Sequence, residues 1–110
     1  MPLYLSKGKY GPEGVKGLLK DSATARRDAL AKMCEAMGGK LIAIYYALGE
    51  TDLYTIFECP DNVAVVAGSL IVNAAGTATA EHIPLLTPEE MDESVAIAKK
   101  MMAAYRPPGA

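Results

Sequence analysis

Two runs rich in β-branched, aromatic and aliphatic residues, 40–48 and 52–59, are separated only by Gly49-Glu50-Thr51. So short a Gly-containing connection makes them a β-hairpin. If Leu48 pairs with Leu53, then Ile42, Ile44, Tyr46, Leu48, Leu53, Thr55, Phe57 and Cys59 share one face. That set is bulky and almost wholly apolar, so it should pack under helices. The other face carries Leu41, Ala43, Tyr45, Ala47, Tyr54, Ile56 and Glu58. A solvated face would alternate toward Lys, Glu and Thr; this one does not. The hairpin therefore demands cover on both sides.

The flanking segments supply cover for one side. Residues 3–10 read as a first strand, and Pro12 suits the first position of a short helix over 12–20. Asp21-Ser22 offers a fresh cap, after which Ala25, Ala29, Leu30, Met33 and Met37 recur at helical spacing until Gly38-Gly39. Beyond the hairpin, Asp61 caps an apolar helix that Gly76 stops, read as buried. Residues 77–86 form a fourth strand, with Pro84 pointing to an edge or a bulge. Thr87-Pro88-Glu89-Glu90 then has the composition of a capping box, opening a last helix with Met91, Val95, Ala98, Met102 and Tyr105 along one stripe. The order β-α-β-β-α-β plus a C-terminal helix is the split βαβ, or ferredoxin-like, α+β arrangement in a single domain spanning 1–110. Its four-stranded antiparallel sheet carries helices on one face only.

What covers the helix-free face is the informative question. On the first strand Tyr4, Ser6, Gly8 and Tyr10 are assigned to it, leaving Leu3 and Leu5 for the core. On the fourth strand either Ala78, Ala80 and His82 or Thr79, Glu81 and Ile83 point that way. The apolar fraction of 51% is at or above the globular norm while charged residues, at 22%, fall slightly below it. Surplus apolar surface and the symmetry of most soluble oligomers make a second copy the economical cover, so a homodimer or higher oligomer is expected.

Charge narrows the partners. A net charge of −2 argues against a nucleic-acid binder, and Arg26-Arg27 and Lys99-Lys100 are each diluted by acidic neighbours. No membrane association is expected, because the longest apolar run, 63–75, is too short to span a bilayer. With no signal peptide or lipidation motif, the expected location is cytoplasmic. Cys34 and Cys59 lie in no metal-ligand spacing and read as free, buried and structural. There is no Gly-rich phosphate loop, nucleophile elbow or Cys-x-x-Cys, and no cofactor is expected.

The chain as a whole resembles the GYD family, small bacterial and archaeal proteins similar to the dimeric α/β-barrel superfamily. The residues that carry the resemblance are Tyr4-Leu5 through Lys9-Tyr10, the segment from Pro12 to Leu18, and Gly38-Gly39-Lys40. Pro60-Asp61-Asn62, Asn73-Ala74-Ala75-Gly76 and the segment from Leu85 to Met91 complete it. The motif behind the name, Gly-x-Tyr-Asp or close to it, reads here Gly49-Glu50-Thr51-Asp52, so no role of a phenol transfers to Thr51. The resemblance implies the fold and a dimeric α/β-barrel assembly. It implies no particular reaction.

Candidate chemistry gathers on few residues. His82 is the only histidine, able to act as general base or as a single metal ligand, or simply to be a hydrogen-bonded structural residue. No metal site is expected, since nothing clusters with it. Tyr45, Tyr54 and Tyr4 are candidate ligand-binding residues on the helix-free face, with Glu58 beside them as a candidate base. The same tyrosines also suit an interface, where amphipathic rings are common. Asp52 is expected to bond amides of its own turn. Two functions follow. One is small-molecule binding or cofactor-independent catalysis in a cavity between the helix-free face and a partner subunit, for a small organic ligand. The other is a non-catalytic structural or regulatory homo-oligomer.

Overall fold

The structure is a computed structural model that describes all 110 residues. The elements run β1 (Leu3–Tyr10), α1 (Pro12–Lys20), α2 (Ala23–Ala36), β2 (Lys40–Tyr46), β3 (Leu53–Glu58), α3 (Asn62–Ala75), β4 (Ala78–Leu85) and α4 (Pro88–Met101), with a terminal 3-10 turn at Met102–Ala104. The strands form one antiparallel sheet in the order β2-β3-β1-β4, the ferredoxin-like arrangement.

Local chemistry sets the element ends. Ser22 Oγ accepts from the Ala25 amide, and Asp61 Oδ1 accepts from Ala64. Thr87 and Glu90 form the reciprocal capping box, each side chain accepting the other's backbone N–H. Gly76 closes α3 with φ +74°, a left-handed conformation that glycine adopts without strain. At Gly39 the chain passes so close to the Glu58 carbonyl that a Cβ would overlap it. Both glycines are therefore part of the connection geometry.

The sheet register differs from the sequence reading in three places. Tyr46, not Leu48, pairs with Leu53, so β2 ends early and Leu48 is fully exposed. The shift is two residues, which preserves the faces of Ala43, Ile44, Tyr45 and Tyr46. A bulge between Leu41 and Ala43 then exchanges the expected roles of Leu41 and Ile42. Leu41 packs on the core opposite Phe57, and Ile42 is about half exposed. On β1 the parity is the reverse of the expected one. Tyr4, Ser6 and Gly8 are buried under the helices, while Leu3 and Leu5 turn to the open side with Lys7. The two lysines explain it: they share parity with the leucines and cannot lie under a helix layer.

The core is small, with Tyr4, Cys34, Phe57, Cys59 and Val65 at its centre. Both cysteines are free and buried, and burial pushes both thiols up. α2 and α3 cover the sheet, and α1 packs beside the start of β4, where Gly11 N–H donates to the Thr77 carbonyl. Only Val65 and Gly68 of α3 are buried, so this helix is half-covered and not wholly buried as its composition suggests. Val63, Val66, Leu70 and Ile71 face outward.

α4 has no buried residue at all. It extends the chain to 58 Å and raises the radius of gyration to 17.6 Å, against about 13 Å for a compact chain of this size. No helix is long and apolar enough to cross a membrane.

Candidate functional site

Beneath the helix layer the middle of the sheet is built from small and polar residues. Ser6 and Gly8 on β1, Thr55 on β3 and Ala80 and His82 on β4 all face α2 and α3. Small side chains leave unfilled space, and a cavity of about 120 Å³ lies there, walled by apolar residues such as Met33, Phe57 and Val72. It adjoins an outer groove of about 440 Å³ between α1, α2 and α3. Tyr10, Arg26, Leu30, Met33, Val72 and Ala78 line both spaces.

His82 is the most distinctive group in this cavity. Its Nδ1 lies 2.5 Å from Ser6 Oγ, on the strand next door, because Ser6 and His82 are directly opposed in the β1–β4 ladder. The Phe57 ring meets the imidazole edge-on at 6.4 Å. Nε2 is buried with no hydrogen-bond partner. Desolvation lowers the imidazole pKa, so the neutral form is favoured.

A second orphan sits at the junction with the outer groove. Tyr10 Oη is buried and also lacks a partner. The neighbouring Tyr46 phenol is pushed up to about 12, first by burial and then by Tyr10 beside it, although the two oxygens do not reach hydrogen-bonding geometry. Native interiors leave few polar atoms unpaired, so two in one apolar enclosure mark it out.

The candidate residues divide between the two faces of the sheet. Tyr45, Tyr54 and Glu58 lie on the helix-free face, as their parity requires. Tyr45 is 71% exposed and Tyr54 36%, and neither of the two cavities touches any of the three. His82 lies on the opposite, helix-covered face, so one chain does not bring it together with Glu58. Tyr4, expected on the helix-free face, stacks on Phe57 at 5.5 Å and donates its hydroxyl to Asn62 Oδ1 at 2.7 Å. Its polar end is satisfied inside the core. Burial is also what raises its pKa most.

Sequence reasoning passed over Ser6 and Tyr10 as site residues and over Met33 and Val72 as walls. One signal was available for β1. Once Lys7 and Lys9 are required to face water, Ser6 and Tyr10 must turn inward with Tyr4.

Asp52 also departs from expectation. Its carboxylate accepts not from its own turn but from the Tyr10 amide at 2.8 Å and Lys9 Nζ at 3.2 Å. The Asp52 amide in turn donates to the Gly8 carbonyl. These contacts tie the hairpin turn to the end of β1, and the Tyr10 amide is the main reason the Asp52 carboxyl sits below its usual range. The turn motif thus anchors the strand that carries Ser6 and Tyr10.

A family model described as the GYD domain matches residues 4–95. Neither curated proteins nor solved structures gave a match.

Proposed function

The chain belongs to the GYD domain family, and on that premise we propose that it binds a small organic molecule in the cavity beneath α2 and α3. The observation that carries this reading is the buried, unpartnered Nε2 of His82 in an apolar enclosure. Binding sites of this kind combine apolar walls with a few polar groups that fix orientation. The volume is of the order that admits a benzene-sized molecule, as a dry cavity of about 150 Å³ does. In its stronger form the reading includes cofactor-independent catalysis, with His82 as the acid–base group, the one side chain in the cavity whose ordinary pKa lies near neutrality.

The test is a thermal-shift and titration screen of small cyclic and aromatic compounds. It compares the wild type with Ala80→Leu, which fills space beside Gly8. Saturable stabilisation of the wild type that is lost in the variant is expected. An absence of any saturable response in the wild type sinks the reading.

A second reading concerns assembly. α4 is wholly exposed and carries Met91 at 54%, Val95 at 41% and Met101 at 60% exposure, while the helix-free sheet face adds Leu3, Leu5, Ile56 and Ile83. A second copy covering these surfaces makes the chain a homo-oligomer. Light scattering on the wild type and on Val95→Asp tests this; a monomeric wild type at micromolar concentration refutes it.

A further inference from the structure

The count of hydrogens around His82 says what kind of ligand the cavity takes. Only one proton can lie between Ser6 Oγ and His82 Nδ1, and Ser6 Oγ makes no other hydrogen bond. If Nδ1 carried that proton, the Ser6 hydroxyl hydrogen would have no acceptor, and Nε2 would be a bare acceptor. Two buried groups would then be unmet. If Ser6 donates to Nδ1, its own hydrogen is used, and the imidazole proton resides on Nε2. A single group is then unmet, and it is a donor. Buried polar groups pair wherever they can, so the second arrangement is favoured.

We propose that the cavity receives a small apolar carbonyl compound, whose oxygen accepts a hydrogen bond from Nε2–H of His82 while Ser6 holds the ring in that tautomer. This rests on the cavity being a ligand site and adds the ligand's chemistry. Ser6 acts here as a positioning residue through Nδ1. The surrounding walls favour a ligand that is apolar apart from its oxygen: Phe57 lies edge-on to the ring, and Met33, Val65 and Val72 line the same space. Suppression of the imidazolium by burial agrees with a neutral donor meeting a neutral acceptor. Tyr10 lies four residues along β1 from Ser6, so their Cα atoms are roughly 13 Å apart at strand spacing. It therefore marks the opposite end of the enclosure, where the outer groove begins.

Cyclopentanone and methylenecyclopentane have nearly the same shape, but only the ketone offers an oxygen. Both are titrated by NMR into the full chain carrying 15N-labelled histidine, whose single imidazole gives an unambiguous spectrum. The free protein should show the Nε2–H tautomer, and the ketone alone should move the Nε2–H resonance. The ratio of ketone to alkene affinity should fall about tenfold or more in His82→Phe, which removes the donor. Ser6→Ala keeps the ring but should mix the tautomers and lower that ratio in part.

An Nδ1–H tautomer in the wild type overturns the proposal, even if His82→Phe does not fold. So does an affinity ratio unchanged in His82→Phe while both compounds still bind; the cavity would then remain a ligand site without carbonyl recognition. Failure of both compounds and of the wider screen removes the ligand site itself, and this inference with it.

Discussion

The two faces of one sheet present opposite solutions to packing. Under the helices, the centre of the face is small and polar: Ser6, Gly8, Thr55, Ala80 and His82 leave a cavity between the sheet and α2–α3. The helix-free side has no such hollow centre. Leu3, Leu5, Ile56, Ile83 and Leu85 form an apolar belt at one end, while Lys7 and Glu81 oppose each other across β1 and β4 at the other. The face that looks like a conventional core encloses space, and the large aliphatic groups of β1 and β4 lie on the face open to water. Apolar composition alone thus does not distinguish a core from a docking surface; the size and polarity of the residues at the centre do.

The largest effect should come from the covered side. Phe57→Ala removes a nearly fully buried ring that stacks on Tyr4 and meets His82, and should cost about 3–5 kcal/mol by urea unfolding. Ile56→Ala, one residue away on the other face, should cost clearly less at low protein concentration. Equal losses would show that the open face is already covered in solution.

Ile56→Lys should be the sharper probe of that cover. It places a charge in the apolar belt, so the solution mass should fall while the circular dichroism spectrum stays that of the folded chain. An unchanged mass would remove the sheet face from any interface.

The third effect depends on pH. Burial lowers the folded-state pKa of His82 below its ordinary 6.5, so between those two values the unfolded chain binds more protons than the folded one. Stability should therefore decline as pH falls from about 6.5 and level off below the folded value. His82→Gln should flatten this window. A persistent slope in the variant would assign it to another group.

Asp52 should give the smallest change, in a different window. Its lowered carboxyl pKa contributes stability above the ordinary carboxylate value of 3.8, which is lost as pH falls through the folded value. Asp52→Asn should lower stability slightly at neutral pH and remove part of the acid-side decline. The position is partly exposed and salt-screened, so a large effect would mean that the turn controls the register of β1.

Much of the fold was legible because its signals are local. The capping box at Thr87 and Glu90, the caps at Ser22 and Asp61 and the stop at Gly76 each involve residues within one helical turn. The alternation of β3, with Leu53, Thr55 and Phe57 inward and Cys59 buried just beyond its end, was equally plain. The candidate site was legible only in part. His82 stood out as the lone histidine, but its face depended on its partner strand. Tyr4 was assigned to the helix-free face because that parity left Leu3 and Leu5 for the core; inside, its hydroxyl is met by Asn62, 58 residues away.

Sequence by itself determined the order of elements, their caps, the hairpin and the alternation of β3, because short-range sterics, hydrogen bonding and strand periodicity govern these. Tertiary structure alone decided the bulge at Leu41, the face of β4 that carries His82, and the opposition of Ser6 to His82. The physical reason is that strand parity is binary, whereas the choice between its two values is made by pairing with residues far along the chain. That choice placed the lone histidine beneath the helices, in the cavity where a ligand is proposed.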